Sequence, residues 1–123
     1  MTNVRTYCLL IFLALLFAQV GPVRADSFSS LNKKGNQAYE RAQEYQQEGD
    51  KEQTASELEQ ALKYYRDAEI EKPESPALSY NLGNVMYQQE KYQDALDKYY
   101  KALGSDDIAH QAWSWYNLGN TFY

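Results

Sequence analysis

The string Tyr-Asn-Leu-Gly-Asn occurs twice in this chain, at 80–84 and again at 116–120, a step of 36 residues. Identity recurring at such a step marks an array of small helical units, each of which buries its apolar face only by stacking on a neighbour. Between the two copies, Tyr92, Ala95, Tyr99, Ala102 and Leu103 fall at helical spacing along one face. Each string therefore sits on a first helix, and a second helix packs back against it. Leu58, Ala61, Tyr65 and Ala68 carry the same second-helix pattern one unit earlier, before Pro73 stops it.

This arrangement resembles the tetratricopeptide repeat. The resemblance rests on Leu82-Gly83, Tyr92, Ala95, Tyr99 and Ala102 in one unit and on Trp115, Leu118-Gly119 and Phe122 in the next. It implies an all-α fold, an α-solenoid of antiparallel helix pairs with about two and a half repeats, at about 31–73, 76–107 and a partial unit at 108–123. It also implies that first helices line a concave groove and that the partner is a protein or peptide.

Local punctuation places the helices. Asp26 to Ser30 is a polar lead-in to a helix over about 31–48, with Gly35, Ala38, Ala42 and Tyr45 inward and Gly49-Asp50 as its stop. A second helix follows over about 51–71. Ser75-Pro76 opens a third, to about Gln89, and a fourth runs from about Tyr92 to Leu103 before Gly104. Ser105, Asp106 and Asp107 offer caps to a fifth beginning near Ile108. Gly35 lies 48 residues before Gly83, well beyond the period of about 34 expected of the family. The excess predicts a first hairpin lengthened by about two turns on each helix, its tip of Gln46, Gln47, Glu48, Glu52 and Gln53 standing in solvent. The fifth helix, with no second helix after it in the sequence, is expected to leave Leu118, Phe122 and Trp115 half covered.

The first 25 residues read as a leader: Arg5, then an apolar run from Cys8 to Val20, then Gly21-Pro22 and Val23-Arg24-Ala25. A signal peptide cleaved after Ala25 is predicted, the run being too short for comfortable membrane passage, where about 20 residues are needed. The chain's formal charge is −5, and it becomes −7 once Arg5 and Arg24 are removed with the leader. An acidic surface disfavours nucleic acid and anionic lipid as partners. The one cysteine, Cys8, leaves with the leader, so stability is expected to come from helix stacking without disulfides.

Aligned on their glycines, the units share an asparagine at Asn36, Asn84 and Asn120 and a tyrosine at Tyr39, Tyr87 and Tyr123. Tyr80 and Tyr116 lie one helical turn before Asn84 and Asn120, on the same face. By the resemblance, these eight residues line the groove. A carboxamide can donate to and accept from an extended backbone at once, and tyrosine supplies flat apolar area with a polar tip. The alternative is that both ladders serve only the fold. In some members of the family a lysine one turn before the asparagine clamps a terminal carboxylate; Tyr80 and Tyr116 stand there instead, which argues against recognition of acidic C-terminal peptides.

Chemistry is poorly provided for. With no cysteine beyond the leader and one histidine, His110, Cys–His catalysis is excluded, and no cofactor or small-molecule substrate is predicted. Asp106, Asp107 and His110 are better read as helix caps and a solvent-facing side chain than as metal ligands. A non-catalytic adaptor is expected, with a self-assembling structural module or the front of a longer repeat protein as rivals. More narrowly, the leader, Glu-Ile-Glu-Lys-Pro-Glu-Ser-Pro at 69–76 and Ala-Trp-Ser-Trp-Tyr-Asn-Leu-Gly-Asn at 112–120 resemble periplasmic repeat proteins of bacterial aerotolerance (Bat) operons. That resemblance implies membrane partners bearing von Willebrand factor A domains.

Overall fold

The computed structural model describes residues 26–122; the leader predicted over residues 1–25 and the groove position Tyr123 lie outside them. Five helices follow one another among the described residues: α1 Phe28–Glu48, α2 Lys51–Glu71, α3 Pro76–Gln88, α4 Tyr92–Ala102 and α5 Ile108–Phe122. The pairs α1/α2 and α3/α4 are antiparallel hairpins, and α5 packs on α4 and α3. No strand occurs among the described residues.

Caps explain the boundaries. Ser27 accepts a bond from the Ser30 amide at 3.4 Å, so α1 begins at Phe28, one turn before the expected Leu31. Asp50 and Ser75 cap α2 and α3 by accepting from Gln53 N and Leu78 N, at 3.0 and 3.3 Å, and Pro76 fills the first helical turn. The first hairpin turns at Gly49, whose φ of 79° is left-handed and open to glycine at little steric cost. The second turns at Glu90, φ 60°, where a side chain bears the strain that glycine avoids.

The first hairpin is lengthened on both arms: α1 and α2 have 21 residues each, against 13 and 11 in α3 and α4. Its tip residues are exposed as expected. The tip also forms one wall of a cleft of about 530 Å³ against the α3–α4 turn, with Gln46 Nε2 donating to Gln88 Oε1 at 3.3 Å. Nothing in the spacing foretold that cleft.

One apolar core runs along the stack, through Ala38 and Ala42, then Leu58, Ala61, Leu62, Tyr65 and Ala68, then Leu78, Leu82, Val85 and Met86, then Ala95, Leu96 and Tyr99, to Leu118. Two expectations are corrected. Tyr92, placed on the inward face of α4, is 47% exposed; it opens the helix and pairs edge-on with Tyr87, ring centres 5.5 Å apart. Leu118, expected half covered, is buried because α4 and α3 already close over its side of α5.

Candidate functional site

Five of the eight expected groove residues meet around one cavity. Tyr39 of α1, Tyr80, Asn84 and Tyr87 of α3, and Asn120 of α5 line about 290 Å³ together with Gln43, Gln88, Tyr99 and Asn117. Three first helices thus share the wall, as stacked units require. The lining is four tyrosines and five carboxamides, with no charged side chain. Burial pushes the Tyr39 phenol above its ordinary range, the amides of Gln88 and Gln43 pulling weakly the other way, so at neutral pH it is a hydroxyl donor.

The asparagine ladder is held by the fold. Tyr65 of α2 donates its hydroxyl to Asn36 Oδ1 at 2.7 Å, and Tyr99 of α4 donates to Asn84 Oδ1 at 2.9 Å. Each oxygen accepts a second bond from the next unit: Asn81 Nδ2 donates to Asn36 Oδ1 at 3.3 Å, and Asn117 Nδ2 to Asn84 Oδ1 at 3.0 Å. Both acceptor positions of a carboxamide oxygen are then filled. What Asn84 offers the cavity is its NH₂ group alone, so the expected donor-and-acceptor role is reduced to donation. Asn36 lies one unit earlier and does not line the cavity.

The tyrosines divide by position. Tyr80 is half-buried at the joint between units, its ring centre 6.0 Å from that of Tyr99 and 6.3 Å from those of His110 and Trp113. Its hydroxyl accepts from Asn117 Nδ2 at 3.2 Å. Tyr116, its counterpart in α5, is 70% exposed and does not line the cavity.

The first asparagine of each string was not among the expected site residues, yet Asn81 and Asn117 tie consecutive units together. Asn117 reaches Tyr80 and Asn84, and Asn81 reaches the equivalent pair, Asn32 and Asn36, at 3.4 and 3.3 Å. A signal existed: the same place in α1 holds Lys33, which is exposed and has no described unit before it to contact.

At the start of α5, Asp107 Oδ1 accepts from Ala109 N at 2.8 Å, and its other oxygen pairs with His110 Nδ1 at 3.0 Å. The backbone bond first, then His110, holds the Asp107 carboxyl below its usual range. This is a capped helix end. No cluster of three metal-ligating side chains occurs among the described residues, and no described helix is long and apolar enough to cross a membrane.

The tetratricopeptide repeat model matches residues 39–110, that is 72 of the 123 residues. The chain belongs to the tetratricopeptide repeat family. A search of curated proteins finds no match. Tetratricopeptide repeats generally mediate protein–protein interactions, and the family is typically a non-catalytic interaction scaffold. In this member the wall shared by α1, α3 and α5 is where carboxamides and tyrosines are concentrated.

Proposed function

We propose that this tetratricopeptide repeat protein is a non-catalytic adaptor that holds an extended segment of a protein partner across the cavity between α1, α3 and α5. The observation that carries the reading is the composition of that wall: uncharged throughout, with the hydroxyl of Tyr39 and the amides of Gln43, Asn84 and Asn120 turned to one space. Such groups satisfy peptide backbone, and the four tyrosine rings beside them favour apolar and aromatic side chains, which suits a neutral segment better than an acidic terminus.

Selection from a displayed library of random peptides tests it. The intact chain is expected to enrich a neutral, aromatic-containing consensus, and Gln43→Ala with Asn120→Ala, both exposed positions, to weaken the selected peptide about tenfold with unchanged helicity. Equal binding by the double variant would refute the groove reading.

The leader and the narrower resemblance extend the proposal. The adaptor acts in the bacterial envelope, in an aerotolerance-type complex with membrane proteins bearing von Willebrand factor A domains. Its exported product is expected to begin at Asp26 on N-terminal sequencing; a product retaining Met1 to Ala25 would remove this placement.

A further inference from the structure

In the cavity between α1, α3 and α5 the fold itself occupies acceptors and leaves donors. Both acceptor positions of Asn84 Oδ1 are taken, by Tyr99 and Asn117. Gln88 Oε1 accepts from Gln46 Nε2, and the Tyr80 oxygen accepts from Asn117 Nδ2. The amides of Gln88 and Gln43 turn toward the Tyr39 oxygen. Among the described residues, the hydroxyl protons of Tyr39, Tyr80 and Tyr87 and the NH₂ group of Asn84 make no bond, although all four side chains line the cavity. The carboxamide oxygens of Gln43 and Asn120 stand on exposed side chains, where water serves them. Of the inner carboxamides, Asn117 alone keeps an oxygen without a bond among the described residues. The inner wall is thus rich in donors and poor in acceptors.

That imbalance discriminates between backbones. An ordinary residue brings one N–H donor and one carbonyl acceptor, whereas proline brings the carbonyl alone. Carbonyls of either kind meet the free donors, but N–H groups entering the cavity lose water and find few acceptors. Proline has no such group to leave unpaired. An anion would accept from the same donors, yet no cation lines this wall and the chain carries a formal charge of −5.

The ring spacing fits the same ligand. Tyr39 and Tyr87 hold equivalent positions on α1 and α3, and these helices touch. Packed helices lie about 8–10 Å apart, close to the roughly 9 Å over which a polyproline II helix advances three residues. Tyrosines one unit apart therefore match prolines three residues apart.

We propose that the segment held in this groove is a proline-rich stretch in the polyproline II conformation. Its carbonyls accept from Tyr39, Asn84 and Tyr87, and prolines three residues apart lie on the Tyr39 and Tyr87 rings. The inference rests on the groove reading and narrows its ligand. A preformed polyproline II segment also has little conformational freedom left to lose on binding.

An oligoproline of about ten residues, acetylated and amidated so that it carries no charge, is the probe. The control is a blocked peptide of the same length alternating serine and alanine, which restores the backbone N–H groups. Calorimetric titration of the full chain is expected to give saturable binding of the oligoproline, with the control at least about tenfold weaker. Tyr39→Phe, which keeps the ring and removes one donor, is expected to weaken the oligoproline about threefold or more. Tyr87→Leu, which removes a ring and a donor together, is expected to weaken it about tenfold; circular dichroism checks that both variants fold. The proposal is overturned if the oligoproline fails to saturate at millimolar concentration, if the control binds as tightly, or if both substitutions leave the affinity unchanged. A proline-free peptide that binds as tightly and is lost with Gln43→Ala and Asn120→Ala would overturn the proline inference while the groove reading stands. Failure of every peptide, including the library-selected one, would remove both.

Discussion

Gly83→Ala should destabilise the protein by about 2 kcal/mol, whereas Gly119→Ala, the same change at the equivalent place one unit on, should stabilise it by about 0.5–1 kcal/mol. The two sites share helical backbone and flanking residues, Leu-Gly-Asn in each case. They differ in what a new methyl group meets. At Gly83 it would lie 2.6 Å from Tyr99 Cε1 and 2.7 Å from Cδ1. That ring cannot step aside cheaply, because it is 1% exposed and tethered by its hydroxyl to Asn84. Overpacking of this kind costs about 1–3 kcal/mol, more than the ~1 kcal/mol that alanine gains over glycine in a helix. At Gly119 no atom lies within 4 Å among the described residues, leaving only the helix preference. Urea denaturation of the three proteins measures both values. Shifts of the same sign would mean that the ring-on-glycine contact does not govern the packing of these units.

That contact was only half legible in the sequence, and the reason is physical. The helices could be read because each boundary is set by neighbours in the chain: Asp50 and Pro73 bracket α2, and Ser75-Pro76 starts α3. The long first hairpin could be read because 48 residues between Gly35 and Gly83 have nowhere else to go without Pro or Ser clusters to form a loop. The start of α1 was misplaced by a turn because Ser27, Ser29 and Ser30 are equivalent as letters and differ only in which one meets an amide. The site was harder. Spacing along one helix puts Tyr80, Asn84 and Tyr87 on a face, and the structure keeps them together around the cavity. Spacing does not tell how units stack, so it could not reveal that Asn117 reaches back to Tyr80 and Asn84, or that Asn84 has no acceptor capacity left for a ligand. Contacts within a helix follow from its period, while contacts between units depend on crossing geometry that no single helix encodes.

Replacement of Tyr99 should be the most damaging change in the second unit. Tyr99→Ala empties the seat on Gly83, deletes one bond to Asn84 and removes a ring packed against Tyr80. Truncation of a buried aromatic costs about 3–5 kcal/mol, a large share of the roughly 5–15 kcal/mol that holds a domain folded. Tyr99→Phe keeps the ring and loses only the hydroxyl, for about 1 kcal/mol. Alkaline pH separates the two contributions. Burial, foremost, pushes the phenols of Tyr65 and Tyr99 well above the ordinary tyrosine range. A phenol with a raised folded pKa stabilises fully below its unfolded value of about 10 and loses that contribution as pH rises toward the folded value, at about 1.4 kcal/mol per pH unit for one group. Wild type should therefore lose stability above about pH 10 faster than Tyr99→Phe, which has one fewer phenol raised by burial, keeping those of Tyr65 and Tyr39. The ~1 kcal/mol advantage of wild type at neutral pH should vanish by about pH 11. An advantage that persists unchanged to that pH would mean the Tyr99 hydroxyl ionises as freely in the folded chain as in the unfolded one, and that its bond to Asn84 is not what holds the ladder.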